Sequence, residues 1–567
     1  MDGLLYPSVL HNATYTIDGT NSTGFGYTRG PEQNITFERA TFPVYALDYN
    51  KTAIDTACKP LPDSTPDLGA YLVLLRVSQL HGVCAPAQQA ENLAAKGAKR
   101  ALFFNPDVGY IIANSSEVAV GLVLDSFAGK LIDGLRAGKA VNITFTDGSY
   151  LNNSGMANIT PMSYFSSWGP TNELWMKPEI AAPGAPVLST WPLAKGGYAE
   201  MHGTSMATPY VAGVVALLME ARGKKFATPS EIKTLLTTTA NPQKRRFPNS
   251  AQYISTHLEP VMQQGGGGIN AYKAAYTTTT VDVGYIALND TAHFASMHVI
   301  NIKNKFKQAQ TYTFGHLKGP TVYTFSNGSI IPDGPALQFD ETSQASASIR
   351  FDPETLTVEA GSIGKLTMYF SPPTGLDASR LPLYNGYVAI NGTWGDSLTV
   401  PYMGASANMI DQKIIDTQEG YPYLARSTDT NVRLNGSDLF PLPINYKLRT
   451  DNTSYPTIMF NLALGSRVMS VDIVSKAKNA TNIGLRNSTT DDNGDRILGP
   501  MPDMPFTEMS RDYVFNITWN GTLADGQTPV PAGTYKLIMK ALKIFGNQDD
   551  DADYEKWVSP YFNLKYY

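Results

Sequence analysis

The stretch HGTSMATPYVAGVVALLM at residues 202–219 decides the fold prediction. Its polar start around Ser205 is typical of a helix N-terminus, and the apolar run 211–219 predicts the body of that helix. We expect Pro209 in the first turn, where its missing N–H costs little. Gly213 predicts close packing of the helix against a neighbour.

Ser205 is the candidate nucleophile of this stretch. A free serine hydroxyl is a poor nucleophile at neutral pH, so it needs a base within hydrogen-bond reach. A helix N-terminus supplies oriented N–H groups and the positive end of the helix dipole, which favour an oxyanion beside the serine. The alternative is that Ser205 only caps a buried helix.

Four segments together carry a family resemblance. The segment GTSMATPYVAGVVALL (203–218) resembles the nucleophile motif of the subtilisin-like serine proteases. The segments SYFSSWGPT (163–171), KPEIAAPG (177–184) and QGGGGINAYKAA (264–275) resemble other parts of the same domain, in the same order. The resemblance implies an α/β peptidase domain with a parallel sheet, in which Ser205 is the nucleophile and its backbone N–H is one oxyanion donor.

The resemblance also implies an aspartate, a histidine and an oxyanion asparagine before Ser205. The family histidine begins an HGTHVAG-like helix, and none of the seven histidines has this context. The candidates without a matching context are His11, His81, His202, Asp2, Asp18 and Asn105. We therefore expect that the sequence lacks the first part of the peptidase domain and is inactive alone.

Composition limits the functional classes. The 567 residues suggest about four domains, and the low charged fraction of 16% with 31 tyrosines indicates a folded, β-rich chain. A net charge of −5 gives no electrostatic footprint for nucleic acid. The longest apolar run has nine residues, which predicts no membrane span. We expect protein or peptide substrates and no cofactor.

Sequons indicate a secretory origin. About seventeen N-x-[ST] sequons occur, among them Asn12, Asn34, Asn142, Asn158, Asn391, Asn435, Asn487, Asn516 and Asn520. The start MDGLLYPSVLHNATY has neither a basic region nor an apolar core, so it is not a signal peptide. We expect an extracellular glycoprotein whose first part is absent from this sequence.

Residues 36–150 resemble the protease-associated (PA) domain that multidomain extracellular subtilases carry between the oxyanion asparagine and the serine. Both cysteines, Cys58 and Cys84, fall in this module, too far apart in sequence for a compact zinc site. One disulfide would close a loop of about 27 residues and stabilise the fold by roughly 3 to 4 kcal/mol. The alternative is two reduced, buried thiols.

The remaining segments complete the predicted architecture. Short alternating strands after residue 280 predict β-sandwiches, the first of which resembles the fibronectin-III-like domain of these proteases. The predicted divisions are a lead-in to the peptidase domain (1–35), the PA insertion (36–150), the nucleophile-bearing part of the peptidase domain (151–280), the fibronectin-III-like sandwich (281–405) and a second β domain (406–567).

Weaker motifs predict no further site. The acidic run QDDDAD (548–553) lacks the glycine and distal glutamate of an EF-hand, so we expect a solvated loop and no metal. The glycines 265–268 lack the context of a phosphate-binding loop and predict a tight backbone passage. Two alternatives to a protease lacking its first part stay open: a truncated pseudoprotease or PA and β-sandwich binding module, and a hydrolase using Lys177 or Lys195 as base.

Overall fold

The computed structural model describes most of the chain: residues 8–20, 22–29, 36–53, 56–77, 84–105, 115, 117–152, 162–163, 165–184, 187–193, 197–223, 227–246, 254–332, 345–443, 453–477, 489–511 and 513–567. Several residues singled out in the sequence lie outside these ranges, namely Asp2, Asn34, His81, Asn158, Lys195 and Asn487.

Seven strands form a closed barrel at the start of the chain. They are β1 (Ser8–Ile17), β2 (Thr23–Arg29), β3 (Thr41–Ala46), β4 (Leu72–Arg76), β5 (Arg100–Asn105), β6 (Ala119–Leu124) and β7 (Val141–Asn152), in the order β1-β2-β6-β5-β4-β3-β7. Helix α1 (Pro86–Ala94) connects β4 to β5, and helix α2 (Asp125–Arg136) follows β6 and leads to β7. Strands β4, β5 and β6 are parallel neighbours. Because closure pairs every strand on both sides, the barrel has no free edge.

The barrel begins earlier than the sequence indicates. Strand β1 pairs with β7 and β2 pairs with β6, so both belong to the barrel. The predicted lead-in at residues 1–35 therefore does not match the strand pairing. The cause is apolar packing: Ala13 and Tyr27 are buried in the same core as Phe145, and motif-based division could not detect this contact.

The region around Ser205 is helical with short strands. It contains the hairpin β8 (Val187–Thr190) and β9 (Tyr198–Met201), helices α3 (Thr204–Arg222) and α4 (Pro229–Thr239), the hairpin β10 (Lys244–Arg246) and β11 (Ile254–Leu258), and helices α5 (Val261–Gln264) and α6 (Ala271–Tyr276). Within the described residues of this region, the parallel pairing is a single bridge between Ala181 and Gly268. The extended parallel sheet that the resemblance implies is not among them.

Two sheets follow and enclose one core. The strands are β12 (Thr279–Val281), β13 (Ile286–Ala287), β14 (Met297–Asn304), β15 (Gln310–Lys318), β16 (Val322–Tyr323), β17 (Ser348–Asp352), β18 (Thr355–Val358), β19 (Ile363–Ser371), β20 (Pro382–Gly392) and β21 (Ser397–Ala405). One sheet has the order β12-β14-β19-β17, and the other β13-β21-β20-β15-β18 with β16 beside β20. Alternating inward side chains such as Leu366 and Tyr384 fill the space between them.

The last part of the chain is also β-structure. Its strands are β22 (Tyr423–Arg426), β23 (Asp438–Leu442), β24 (Pro456–Phe460), β25 (Ser466–Ser475), β26 (Arg496–Pro500), β27 (Phe506–Met509), β28 (Phe515–Thr518), β29 (Gly533–Leu542), β30 (Tyr554–Val558) and β31 (Phe562–Tyr566). A three-stranded sheet, β22-β24-β28, and a seven-stranded sheet around β29 share a core. Trp519 is fully buried there and donates its indole N–H to the Thr522 carbonyl at 2.7 Å.

A buried ion-pair cluster lies in this last part. The ammonium of Lys536 is 2.5 Å from Asp491 and 2.6 Å from Asp495, and the Lys536 side chain is 1% exposed. Burial alone would lower the pKa of Lys536, but its hydrogen bonds to both carboxylates and to Tyr561 raise it above its ordinary value. The lysine therefore neutralises two carboxylates that would otherwise repel each other.

Candidate active site

The helix start places Ser205 at the surface. Gly203 is the N-cap of α3, with φ at +151°, a conformation that L side chains rarely adopt. Its N–H donates to the Gly184 carbonyl at 2.8 Å, and its own carbonyl accepts from the Met206 N–H at 2.9 Å. Gly203 therefore joins the segment ending at residue 184 to the first turn of α3, and Ser205 lies exposed in that turn.

The first turn of α3 offers the donors that an oxyanion needs. The first N–H groups of a helix have no intrahelical partner and carry the positive end of the helix dipole. The sequence predicted Pro209 in this first turn, but Pro209 lies further inside the helix. Its missing N–H leaves the Ser205 carbonyl without its usual helical donor.

Only one face of α3 is buried within the described residues. Val214 and Leu218 pack against Leu235 and Leu236 of α4 and Ala274 of α6. The C-terminal end is fixed by the guanidinium of Arg222, which donates to the carbonyl oxygens of residues 274 and 277 at 2.9 and 2.8 Å. These contacts hold the helix, and with it Ser205, against the two shorter helices.

The opposite side of α3 is apolar and open. Tyr210 is 43% exposed, Leu217 is 65% exposed and Met219 is 36% exposed. Gly213 also lies on the open side, and a Cβ built there meets nothing within 4 Å, so the close packing predicted for it is wrong for this structure. Most soluble helices bury such a stripe, whereas within the described residues nothing covers this face of α3.

Helix α3 also passes a composition test for membrane spans. Among the described residues it is the one helix long and apolar enough to cross a bilayer, with 19 residues and a mean hydropathy of 1.2 over the best window. Core helices of soluble proteins pass the same test, so this is weak evidence.

The four glycines 265–268 form the tight passage that the sequence predicts. A Cβ on Gly265 would lie 2.2 Å from the Glu179 carbonyl oxygen, and a Cβ on Gly266 would lie 2.1 Å from the Thr237 carbonyl oxygen. Side chains at these positions are excluded because main chain approaches main chain. The passage thus packs the end of α4 against the segment that leads to Gly184.

The Ser205 hydroxyl makes no hydrogen bond to any described residue. Lys177, the alternative base, binds Glu179 at 2.5 Å, and Lys233 binds the same carboxylate at 3.1 Å. Burial alone would raise the pKa of Glu179, but the hydrogen bonds from both lysines lower it. The described partner of the Lys177 ammonium is therefore Glu179 and not Ser205. His202 lies next to the motif and has interactions of its own.

A buried carboxyl group near this region was not singled out from the sequence. Glu259 is 5% exposed, and burial raises the pKa of its carboxyl to about 7, although Arg245 opposes the shift. In the amide orientation that satisfies both of its polar atoms, Gln263 donates to Glu259 at 2.7 Å and accepts from the Trp168 indole at 3.0 Å. Gln263 thereby links Glu259 to Trp168 of the SSWGP segment. The sequence signal was weak, since LEP at 258–260 resembles any loop.

The two cysteines are joined in the structure. Cys58 and Cys84 form a disulfide with a Cα–Cα distance of 5.6 Å.

The acidic run at 548–553 forms a 3-10 turn in which Asp551 pairs with Lys556. Within the described residues no cluster of three or more histidine, cysteine, aspartate or glutamate side chains could hold a metal ion.

Comparison with protein families identifies this region. Residues 77–267 match the model of the Subtilase family, Peptidase S8. This match confirms, over these residues, the resemblance to the subtilisin-like serine proteases. Residues 286–403 match an Fn3-like domain. The matched family is one of serine-type peptidases with an α/β fold.

Named relatives of the chain are proteases. A PII-type proteinase of Lacticaseibacillus paracasei is 28% identical over 283 residues, which cover 46% of this chain and 14% of the relative. A C5a peptidase of Streptococcus pyogenes serotype M1 is 26% identical over 332 residues, covering 53% of this chain and 26% of the relative. The chain therefore corresponds to a minor part of these multidomain subtilisin-like proteases.

Among solved structures, an aminopeptidase from Aneurinibacillus sp. strain AM-1 aligns with 25% of this chain and 31% of that structure, at 17% identity and a TM-score of 0.17. A likeness this weak carries no argument.

Proposed function

We propose that this chain carries the nucleophile of a subtilisin-like serine endopeptidase, with Ser205 attacking the carbonyl carbon of a peptide bond in protein substrates. The observation that carries the proposal is the exposed Ser205 in the first turn of α3, inside the family match. Gly203 carries no side chain, so an extended substrate backbone can approach Ser205 there.

The proposed reaction passes through an acyl-enzyme. The Ser205 oxygen bonds to the carbonyl carbon while its proton moves to a histidine base. The Ser205 N–H at the helix start donates to the oxyanion of the tetrahedral intermediate. The intermediate collapses, the amine leaves with the proton from the histidine, and water then hydrolyses the serine ester.

The histidine, its aspartate and a second oxyanion donor are proposed to come from polypeptide outside the given sequence. Two observations support this. The Ser205 hydroxyl is without a partner among the described residues, and the open apolar side of α3 needs cover. The side chains of Leu188, Leu193 and Tyr198 in the β8–β9 hairpin are also exposed. We propose that the missing half of the peptidase domain packs on these groups.

The other regions are proposed to support this peptidase. The barrel of β1 to β7 is proposed as a PA domain inserted before the nucleophile, and the following β regions as braces that position substrate. The Cys58–Cys84 disulfide and the sequon density support an extracellular glycoprotein. Proteins or peptides are the proposed partners.

A labelling experiment tests the proposal. The chain would be treated with a fluorophosphonate probe alone and after co-expression with a polypeptide that carries subtilase-type aspartate, histidine and asparagine segments. We expect labelling and peptide hydrolysis only after co-expression, because loss of the histidine alone lowers subtilisin turnover by about 10⁶. Ser205→Ala should abolish both signals, whereas the exposed Ser189→Ala on β8 should change neither. Labelling that survives in Ser205→Ala would refute the role of this serine.

The alternative is a pseudoprotease or a PA and β-sandwich binding module. It is favoured by the absence of a described partner for the Ser205 hydroxyl. It predicts that the chain alone is a soluble, cooperatively folding unit that stays unlabelled under every condition above. Aggregation of the isolated chain through the open side of α3 would contradict it.

A further inference from the structure

A cleft of about 610 Å³ opens between the Fn3-like sandwich and the segment that follows it. This size is within the range of pockets that hold small organic ligands. Its polar lining is dominated by hydroxyl and amide groups, which come from Thr291, Ser329, Ser379, Ser406, Asn408 and Gln412. These groups donate and accept hydrogen bonds without carrying charge.

The charges at the cleft balance. Asp411 and Lys413 are its two ionisable lining residues, and Lys413 lies 3.7 Å from Glu555. One carboxylate is too few for a calcium site, which uses several oxygen ligands. The Lys413 ammonium already faces Glu555, so it does not make the cleft an anion site either. The lining therefore favours a neutral ligand with many hydroxyl groups.

Two polar atoms of the lining residues are without partners among the described residues. The Ser406 hydroxyl and the Asn408 amide oxygen are buried and make no hydrogen bond, although the Asn408 amide nitrogen donates to Asp411 at 2.8 Å. Buried polar groups in native proteins are normally paired. Both residues line the cleft, so a group bound there lies beside them.

The rim of the cleft carries a sequon. Asn327, Gly328 and Ser329 form a turn in which the Ser329 N–H donates to the Ser326 carbonyl at 3.1 Å, and Gly328 has φ at +80°. Asn327 is exposed, whereas Ser329 two residues later lines the cleft. The turn is fixed by Gln418, whose amide donates to the Gly328 carbonyl at 2.9 Å and accepts from the Ile330 N–H at 3.0 Å.

We propose that Asn327 carries an N-linked glycan whose first sugars occupy this cleft. A lipid-linked oligosaccharide diphosphate is the donor. The Asn327 amide nitrogen bonds to the first anomeric carbon, the lipid diphosphate leaves, and the amide loses one proton. The proposal rests on the extracellular route proposed above and is independent of the catalytic role of Ser205. The glycan covers the cleft and supplies partners to the two buried atoms.

The test compares two sequons of the same full chain, secreted from a glycosylating yeast host. Asn391 is the matched control, because Asn391-Gly392-Thr393 is also an exposed Asn-Gly sequon at a turn and does not line the cleft. Site occupancy would be measured by glycopeptide mass spectrometry, and glycan release by endoglycosidase H on native and on unfolded protein. We expect both sites to be occupied. Release from Asn327 should be about tenfold slower than from Asn391 in the native protein, the factor that two ordinary hydrogen bonds allow. The rates should be equal after unfolding.

Variants of the lining connect protection to the cleft. Asn408→Ala and, separately, Gln412→Ala should raise the native release rate at Asn327 toward that of Asn391, with occupancy unchanged. The rate at Asn391 in each variant reports whether the fold is intact. An unmodified Asn327 would overturn the proposal. Equal native release rates at the two sites in the unaltered chain would also overturn it.

Discussion

Replacing Glu259 with glutamine should change how stability depends on pH. Burial raises the pKa of the Glu259 carboxyl from 4.5 to about 7. In the unfolded chain the same carboxyl ionises near its ordinary value. Between these two pKa values the unfolded state loses the proton and the folded state keeps it, so the folded state loses relative stability as pH rises.

The magnitude follows from the two pKa values. Each tenfold change in proton affinity corresponds to about 1.4 kcal/mol, so the free energy of unfolding should fall by about 3 kcal/mol between pH 4 and pH 8 because of Glu259 alone. The stabilising contribution is complete below the unfolded pKa and is lost as pH rises through the folded pKa. Glu259→Gln cannot ionise and avoids this loss.

Urea unfolding at half-unit pH steps measures the effect. Other groups titrate in both proteins, so the relevant quantity is the difference in unfolding free energy between Glu259→Gln and the unaltered chain. This difference should rise by about 3 kcal/mol toward pH 8. Glu354→Gln serves as the control, because it removes an exposed carboxyl instead of a buried one. If Glu259→Gln gave a constant difference, Glu259 would be ionised in the folded protein and the argument from burial would fail.

Three further changes test other features. Gly266→Ala should destabilise the chain by about 3 kcal/mol or more because its Cβ would overlap a carbonyl oxygen, whereas Gly213→Ala on the open side of α3 should stabilise it by about 1 kcal/mol. Thermal unfolding of both variants measures the two effects. An unchanged stability of Gly266→Ala would contradict the close backbone approach. Replacing Cys58 and Cys84 by serine should cost roughly 3 to 4 kcal/mol, measured by urea unfolding against the reduced unaltered chain, which should match the variant. Lys536→Met should cost about 3 to 5 kcal/mol because two carboxylates lose their cation. The loss should shrink as pH falls, because protonation removes the charge that the variant leaves uncompensated; an unchanged loss at low pH would point to packing instead.

Much of the fold could be predicted from local sequence. The apolar run YLVLLRV at 71–77 is typical of a strand and contains β4, while the alanine-rich segment after Cys84 and the segment 125–138 show helical patterns and contain α1 and α2. These elements follow from short periodic patterns and turn residues, which act between neighbours in the chain. The candidate nucleophile was also visible, because the polar start and apolar body of α3 are contiguous.

Long-range contacts were not visible in the same way. The membership of β1 in the barrel depends on pairing with β7, more than a hundred residues later. The burial of Glu259 depends on surrounding segments that no local pattern specifies. Pro209 was expected in the first turn, but the helix starts at Thr204, so Pro209 is its sixth residue and lies past that turn.

The two ends of the β1–β7 barrel lie side by side. Ser8 at the start of β1 is the backbone partner of Asn152 at the end of β7. A module that enters and leaves at one point needs no rearrangement of its host chain, since only a short gap between two host residues has to open. The same geometry makes the barrel a natural unit for transplantation: joining its ends would permit circular permutation, and exchanging it between proteases would leave the nucleophile helix in place.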